Sequence, residues 1–323
     1  MPFAVLKLLS PDEFRSGEEI SHDLGISRAS VHNLVERARE FGVEIQAVRG
    51  KGYRLAERYS WLEASRLAAP LAHTGYNLLL HEQVDSTNSL LLNLAQQGQV
   101  HKSVLAAEWQ SQGRGRRGRT WWAPLGSGLT FSLLWRFQRP LTALSGLSLA
   151  VGLALVRGLH GLGVTDAKVK WPNDILIGGR KLAGILIETH GDMLSSAAAV
   201  IGIGLNIRSV PEPAEGRDFS FAALEDMLGR MPDRNDVLLR MLHELDEVLQ
   251  SFDGHGFEPF VEEWQRMHAW QGQPVRVIGA GGQNILEGVA LGVDGAGVLR
   301  LQTADGIQQI HSGEVSLRAG VAS

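Results

Sequence analysis

The sequence predicts an α+β chain of three domains: a winged helix-turn-helix over residues 1–60, a mixed α/β domain over 61–271 and a small β domain over 272–323. Three observations predict this. Two helical patterns near the N-terminus are separated by a glycine turn and a serine cap. Strand-like and helix-like runs then alternate, and short β-type runs broken by Gly and Asp-Gly turns close the chain. A formal charge of -4 with 44% hydrophobic residues describes an ordinary globular protein and argues against a membrane-surface or general nucleic-acid coat. The chain has no cysteine, which excludes disulfides, thiolate metal sites and cysteine nucleophiles and fits a reducing, cytoplasmic compartment. The opening MPFAVLKLLSPDEF lacks the basic lead of a signal peptide. The longest apolar segment, LSGLSLAVGLALVRGL, falls short of the roughly 20 residues of a spanning helix and reads as a buried one, so no membrane is expected.

In the first domain, SGEEISHDLGISRASVHNLVERAREFGVEI gives a helix, a turn at Gly25, an N-cap at Ser27 and a second helix through Phe41. EIQAVRGKGYRL follows as a hairpin wing. Between Arg28 and Arg58 basic side chains outnumber acidic ones, and this is where a recognition helix and wing meet phosphates. Arg28, Ser30, His32 and Asn33 lie on the turns that would enter a major groove, with Arg49 and Lys51 at the wing tip. A helical docking domain with solvated charges is the alternative.

The middle of the chain alternates strands (104–109, 129–135, 168–171, 181–188, 197–203) with helices (89–97, 144–159, 236–252, 257–267). Its most unusual stretch is QSQGRGRRGRTWW, with four arginines and three glycines from Gly113 to Arg119. It can be a disordered nucleic-acid segment, a solvated loop, or an anion clamp in which glycines admit a ligand to the backbone while arginines close over it. No Lys-Ser/Thr ending follows, so it is not a P-loop. VDSTNSLLLNLAQQG places Asp85, Ser86, Thr87 and Asn88 at a helix N-terminus, more polar groups than one cap requires. KVKWPNDILIGGRKLAGILIE reads as two strands joined at Gly178-Gly179, pairing Ile177 with Arg180, Leu176 with Lys181 and Asp174 with Ala183. That register makes Asp174 and Lys181 diagonal neighbours, either an ordinary ion pair or a lysine and carboxylate flanking a reacting group. IGIGLNI sets Gly202 and Gly204 in a strand, where a ligand can press on the backbone. Four β-type runs, PVRVIG, NILEGVALGV, GVLRLQT and IQQIHSGEVSLR, then suggest a small barrel or sandwich.

Taken in order, DSTN, GRGRRGRTW, KWPNDI, GRKLAGILIE, IGIGLNI and GEVSLR resemble the biotin protein ligase family over essentially the whole chain. The N-terminal segment is similar to that of the bifunctional bacterial form, which is also the biotin operon repressor. The resemblance implies a class II synthetase-like catalytic domain and an SH3-like C-terminal barrel. It further implies formation of biotinyl-5'-AMP from biotin and ATP with Mg²⁺, and transfer of biotin to a lysine of biotin carboxyl carrier protein, a subunit of acetyl-CoA carboxylase. Operator DNA and a second copy of the chain, in an adenylate-bound homodimer, are the other implied partners. Carried over residue by residue, biotin would be met by Ser86, Thr87, Asn88, Gln110, Arg114, Gly115, Arg116, Lys181, Gly184 and Gly204. The nucleotide would be met by Arg119, Trp121, Lys170, Asn206, Arg318 and an aromatic, Phe221 in preference to Phe219. Lys181 and Arg116 would stabilise developing charge, and Asp174 would orient or deprotonate the incoming amine. No metal ligand is assigned. A ligand-sensing repressor with weak or no ligase activity is the competing class, and lipoate or octanoyl transfer is disfavoured by the arginine-glycine loop. Two departures stand out. RSVPEPAEGRDFSFAAL carries two prolines where the family closes a loop over adenine, and no lysine falls between Arg28 and Glu36, which leaves the operator open.

Overall fold

The structure is a computed structural model, described over residues 2–191, 196–210, 220–279, 282–313 and 315–320. Its first unit contains α1 (Phe3–Leu8), α2 (Gly17–Leu24), α3 (Arg28–Glu40) and the wing strands β1 (Ile45–Val48) and β2 (Gly52–Leu55). Ser16 and Glu19 form a capping box at the start of α2, Gly25 ends it at φ 64°, and the Ser27 side chain accepts from the Ser30 amide to start α3. These are the expected signals. Helix α1 was not anticipated, because six residues are too few to show a helical period; its Phe3, Val5 and Leu6 are fully buried with Val31 and Val35 of α3.

The central unit runs α4 (Ala64–His73), β3 (Asn77–Val84), α5 (Thr87–Gln96), β4 (Ser103–Gln110), β5 (Gly128–Phe137), α6 (Leu147–Gly161), β6 (Lys168–Lys170), β7 (Asp174–Ile177), β8 (Arg180–Gly191), β9 (Ala197–Asn206), α7 (Leu224–Leu228), α8 (Arg234–His255) and α9 (Val261–Met267). Its seven strands lie in the order β3-β4-β5-β9-β8-β7-β6, antiparallel except β3 against β4. Alternation along β9 divides the layers. Ala199, Ile201 and Ile203 join the core with α6 and α8, whereas Val200 packs on the opposite face with Leu91 and Ala95 of α5. Gly202 and Gly204 continue the α5 face.

The structure corrects the sequence reading in several places. Strand β3 and helix α4 were missed, the first because its one buried residue, Val84, gives no alternation to read. KVKWPNDILIGG forms two strands, not one, because Pro172 turns the chain between β6 and β7 and brings no N–H to a ladder. The Gly178-Gly179 hairpin pairs Ile177 with Arg180 and Leu176 with Lys181 as expected. Leu182 then bulges, so Asp174 lies opposite Gly184 and not Ala183.

The last run also splits, giving a five-stranded antiparallel sheet of β10 (Pro274–Ile278), β11 (Asn284–Val293), β12 (Leu299–Thr303), β13 (Gly306–Ile310) and β14 (Ser316–Ala319) in the order β13-β12-β11-β10-β14. Its Val275, Val277, Leu299 and Leu317 join the central core and leave no apolar seam between the units. Among the described residues, no helix is long and apolar enough to cross a membrane.

Candidate active site

Strand register builds the site floor. Lys170, Asp174, Gly184, Gly204 and Thr130 are successive partners across β6, β7, β8, β9 and β5. A parallel row sets Leu186 beside Gly202 and Gly202 beside Ser132. Two groups stand over the glycines. A Cβ on Gly202 would lie 2.1 Å from Asn88 Oδ1, and one on Gly204 would lie 2.2 Å from Cε2 of Trp121. The glycines of IGIGLNI therefore make room for an amide and an indole that come from elsewhere in the chain.

Helix α5 supplies the polar end. Ser86 is its N-cap, accepting from the Ser89 amide, so simple capping explains this residue. It does not explain Thr87, whose amide and hydroxyl both donate to Gln110 Oε1 at 2.7 and 3.1 Å. Nor does it explain Asn88, which donates to the Leu186 carbonyl and Glu188 Oε2 and accepts from the Ser132 hydroxyl at 2.6 Å. All three α5 residues are buried.

The arginine-glycine segment is ordered by neighbours far away in sequence. Arg114 pairs with Glu188 at 2.8 Å and reaches the Ser89 hydroxyl. Arg116 donates to Asn173 Oδ1 at 3.0 Å and to the carbonyls of Ser312 and Gly313, and Arg117 donates to the Gly279 carbonyl. Burial lowers the Arg116 pKa, against the opposing pull of Asp174. The loop is thus a folded clamp and not a disordered segment.

Two cavities meet beneath it. The narrower, about 60 Å³, is lined by every residue expected at biotin: Ser86, Thr87, Asn88, Gln110, Arg114, Gly115, Arg116, Lys181, Gly184 and Gly204. The wider, about 310 Å³, is lined by Asp174 and by Arg119, Trp121, Lys170, Asn206, Phe221 and Arg318, the last six being every described residue expected at the nucleotide. Gly115, Arg116, Trp121, Asn173 and Lys181 belong to both. Phe219 lies outside the described residues. Phe221 is brought in by pairing with Lys181, whose amide donates to the Ser220 carbonyl and whose carbonyl accepts from the Ala222 amide.

At the junction one carboxylate holds two ammonium groups: Asp174 Oδ1 is 2.6 Å from Lys181 Nζ, and Oδ2 is 2.9 Å from Lys170 Nζ. Burial alone would raise the Asp174 pKa, but Lys181 and Lys170 together hold it well below the carboxylate range. Burial draws Lys170 down to about 8, with Asp174 opposing. Among the described residues no three His, Asp or Glu cluster as a metal cage, and Asp174 is already engaged by lysines. Among the described residues, none is assigned as a metal ligand.

Sequence reasoning missed Thr130, Ser132, Asn173 and Glu188. Asn173 was legible only as part of KWPND, and Ser132 and Glu188 become polar partners only through cross-strand register. The six candidates for DNA lie apart from this site. Arg28, His32 and Asn33 are exposed on α3, and Arg49 and Lys51 are exposed at the wing tip. Ser30 is half-buried, its hydroxyl 2.9 Å from that of Ser27.

A Gly204→Ala substitution is expected to displace the Trp121 indole, whose own amide is fixed to the Gly113 carbonyl, and to weaken ligand binding in both cavities by about tenfold or more. Titration followed by tryptophan fluorescence reads this; wild-type affinity would mean that the indole has room to move.

Comparisons with known proteins identify the family. The Biotin/lipoate A/B protein ligase family matches residues 80–206, the biotin protein ligase C-terminal domain matches 272–318, and a helix-turn-helix domain matches 3–54. The bifunctional ligase/repressor BirA of Escherichia coli is 35% identical over 322 residues, covering 99% of this chain and 98% of that protein. The BirA of Bacillus subtilis is 34% identical over 310 residues, covering 95% and 94%. A solved structure of biotin protein ligase from Aquifex aeolicus in complex with biotin and ATP superposes with a TM-score of 0.64 at 30% identity, covering 76% of this chain and 99% of that one. With these matches over nearly the whole length and an N-terminal helix-turn-helix domain, the chain belongs to the biotin protein ligase family, of the bifunctional ligase/repressor kind.

Proposed function

We propose that the protein joins biotin to ATP as biotinyl-5'-AMP and transfers the biotin to a lysine of biotin carboxyl carrier protein. The observation that carries this reading is the meeting of two cavities at Lys181 and Arg116, one narrow enough for biotin and one wide enough for a nucleotide. The site residues are those named for each cavity, with Phe221 as the aromatic surface for adenine. In the first half-reaction the biotin carboxylate attacks the α-phosphate and pyrophosphate leaves. Lys181 and Arg116 stand where negative charge grows. Mg²⁺ enters as the chelate of the triphosphate, and no protein cage is assigned to it. In the second half-reaction an amine attacks the acyl carbon. Asp174, with a lysine on each oxygen, orients Lys181 and is a poor base.

Residues 1–60 form the DNA-binding unit, 61–271 the catalytic unit and 272–323 the unit that backs the clamp. Operator binding requires a homodimer, since one winged helix covers one half-site. A cytoplasmic location fits the carrier, ATP and DNA together.

Incubation with ATP, Mg²⁺, labelled biotin and a carrier domain is expected to leave label on a lysine, and biotinyl-5'-AMP is expected to bring footprint protection of operator DNA. Protection without label would leave a ligand-sensing repressor. Label without protection would leave a ligase alone.

The clamp makes its own prediction. Arg116→Ser removes hydrogen bonds to Asn173 and to two carbonyls, each charge-assisted bond being worth about 1.5–3 kcal/mol. Release of preformed adenylate is expected to accelerate by about 10- to 100-fold. A chase experiment showing an unchanged lifetime would remove Arg116 from retention.

A further inference from the structure

We propose that Lys170 Nζ is the proton acceptor of the transfer half-reaction, taking the proton of the attacking lysine amine as the amide bond forms. The assignment rests on the ligase reading above and deepens it by naming the group that reading leaves out.

The second half-reaction needs a base, and elimination among the groups on the page is short. Asp174 has both oxygens engaged and titrates well below the carboxylate range. Lys181 is committed, as a cation, to Asp174 and to the charge on the phosphate. Arg116, Arg119 and Arg318 cannot give up a proton to become acceptors. No histidine is among the described residues lining either cavity. Lys170 ends β6, its side chain is 2% exposed, and it lines the wider cavity beside Asp174.

The groups facing Lys170 among the described residues are Asp174 on β7, Lys181 on β8, Arg318 on β14 and the Trp270 ring, whose centroid is 5.8 Å away. Burial lowers the Lys170 pKa, Arg318 and Lys181 lower it further, and Asp174 opposes them, leaving it at about 8. Roughly one molecule in ten is therefore neutral at pH 7, close to what a base working at that pH requires.

The step balances. The free amine attacks the acyl carbon of the mixed anhydride, the C–N bond forms, and the former amine nitrogen becomes cationic in the tetrahedral adduct. Its proton passes to neutral Lys170. The adduct collapses, the C–O bond to phosphorus breaks with its electron pair on oxygen, and AMP leaves. Protonated Lys170 returns its proton to water.

The test uses the full-length protein, preformed biotinyl-5'-AMP and two acceptors: a carrier domain and hydroxylamine. Hydroxylamine forms a far more acidic adduct that water can deprotonate. Lys170→Arg keeps the charge beside Asp174 and cannot act as a base. It is expected to slow transfer to the carrier lysine by 30-fold or more relative to transfer to hydroxylamine from the same preformed adenylate. Equal losses with both acceptors would overturn the proposal and make Lys170 a positioning or phosphate-binding group. The wild-type protein gives a second reading should the variant fail to fold. Its single-turnover transfer to the carrier lysine is expected to climb more steeply than tenfold per pH unit below pH 8 and at tenfold above it. A uniform tenfold climb would overturn the proposal. Failure of the wild-type protein to form adenylate at all would instead sink the ligase reading.

Discussion

Replacing Lys181 with alanine is expected to slow adenylate formation by about 100- to 1,000-fold while leaving the fold in place. The side chain is 20% exposed and lines both cavities, which under the proposed reaction is where the biotin carboxylate would meet the α-phosphate of ATP. Its loss removes a fixed positive charge from the developing anion without leaving Asp174 unpaired, because Lys170 still holds the second oxygen. The backbone of residue 181 does the structural work, its amide donating to the Ser220 carbonyl and its carbonyl accepting from the Ala222 amide, while residue 181 lies opposite Leu176 in the hairpin. Single-turnover pyrophosphate release measures the chemistry, and thermal melting measures the fold. A wild-type rate would exclude Lys181 from the mechanism, and a collapsed melting temperature would exclude a purely chemical role.

Glu108→Ala is expected to cost about 3–5 kcal/mol of stability and to lower the melting temperature by about 5 °C. Glu108 and Arg234 form an ion pair with side chains 2% and 0% exposed. Arg234 also donates to the carbonyls of Ser60 and Gly128, and Glu108 accepts from the Leu62 amide. Truncation would strand a buried guanidinium and leave an amide of the segment leading out of the winged helix without its acceptor. Replacing the pair together, with Glu108→Leu and Arg234→Met, is expected to recover much of the loss, since apolar side chains of similar volume carry no charge to desolvate. A melting shift of under about 2 °C for the single substitution would show that water reaches the pair.

Both experiments probe features of different legibility. The winged helix was readable because its signals are local: Ser27 caps the helix that follows it, and Gly25 ends the one before. The glycine hairpin and its first two pairs were readable for the same reason. The bulge at Leu182 was not, since nothing in that residue differs from a regular strand position. Asp174 and Lys181 were placed side by side from register alone, but the sharing of the carboxylate with Lys170 depends on a third strand, β6, which Pro172 separates from β7. Gly202 and Gly204 announced a close approach, expected from a ligand, and did not name the side chains that make it. Asn88 and Trp121 supply the answer from positions 80 to 120 residues earlier. The Glu108–Arg234 pair, 126 residues apart, left no trace in any local pattern.

The loop's choice of arginine at position 116 has a consequence for which substitutions count as conservative. Its guanidinium is a flat fork serving three addresses at once: a side-chain amide on the β6–β7 turn and two consecutive carbonyls ahead of β14. An ammonium is a point charge on a flexible stem and has no plane to span that gap. Lysine would preserve the charge and lose the bridge, so the loop, the β6–β7 turn and the segment ahead of β14 would be joined by electrostatics without geometry.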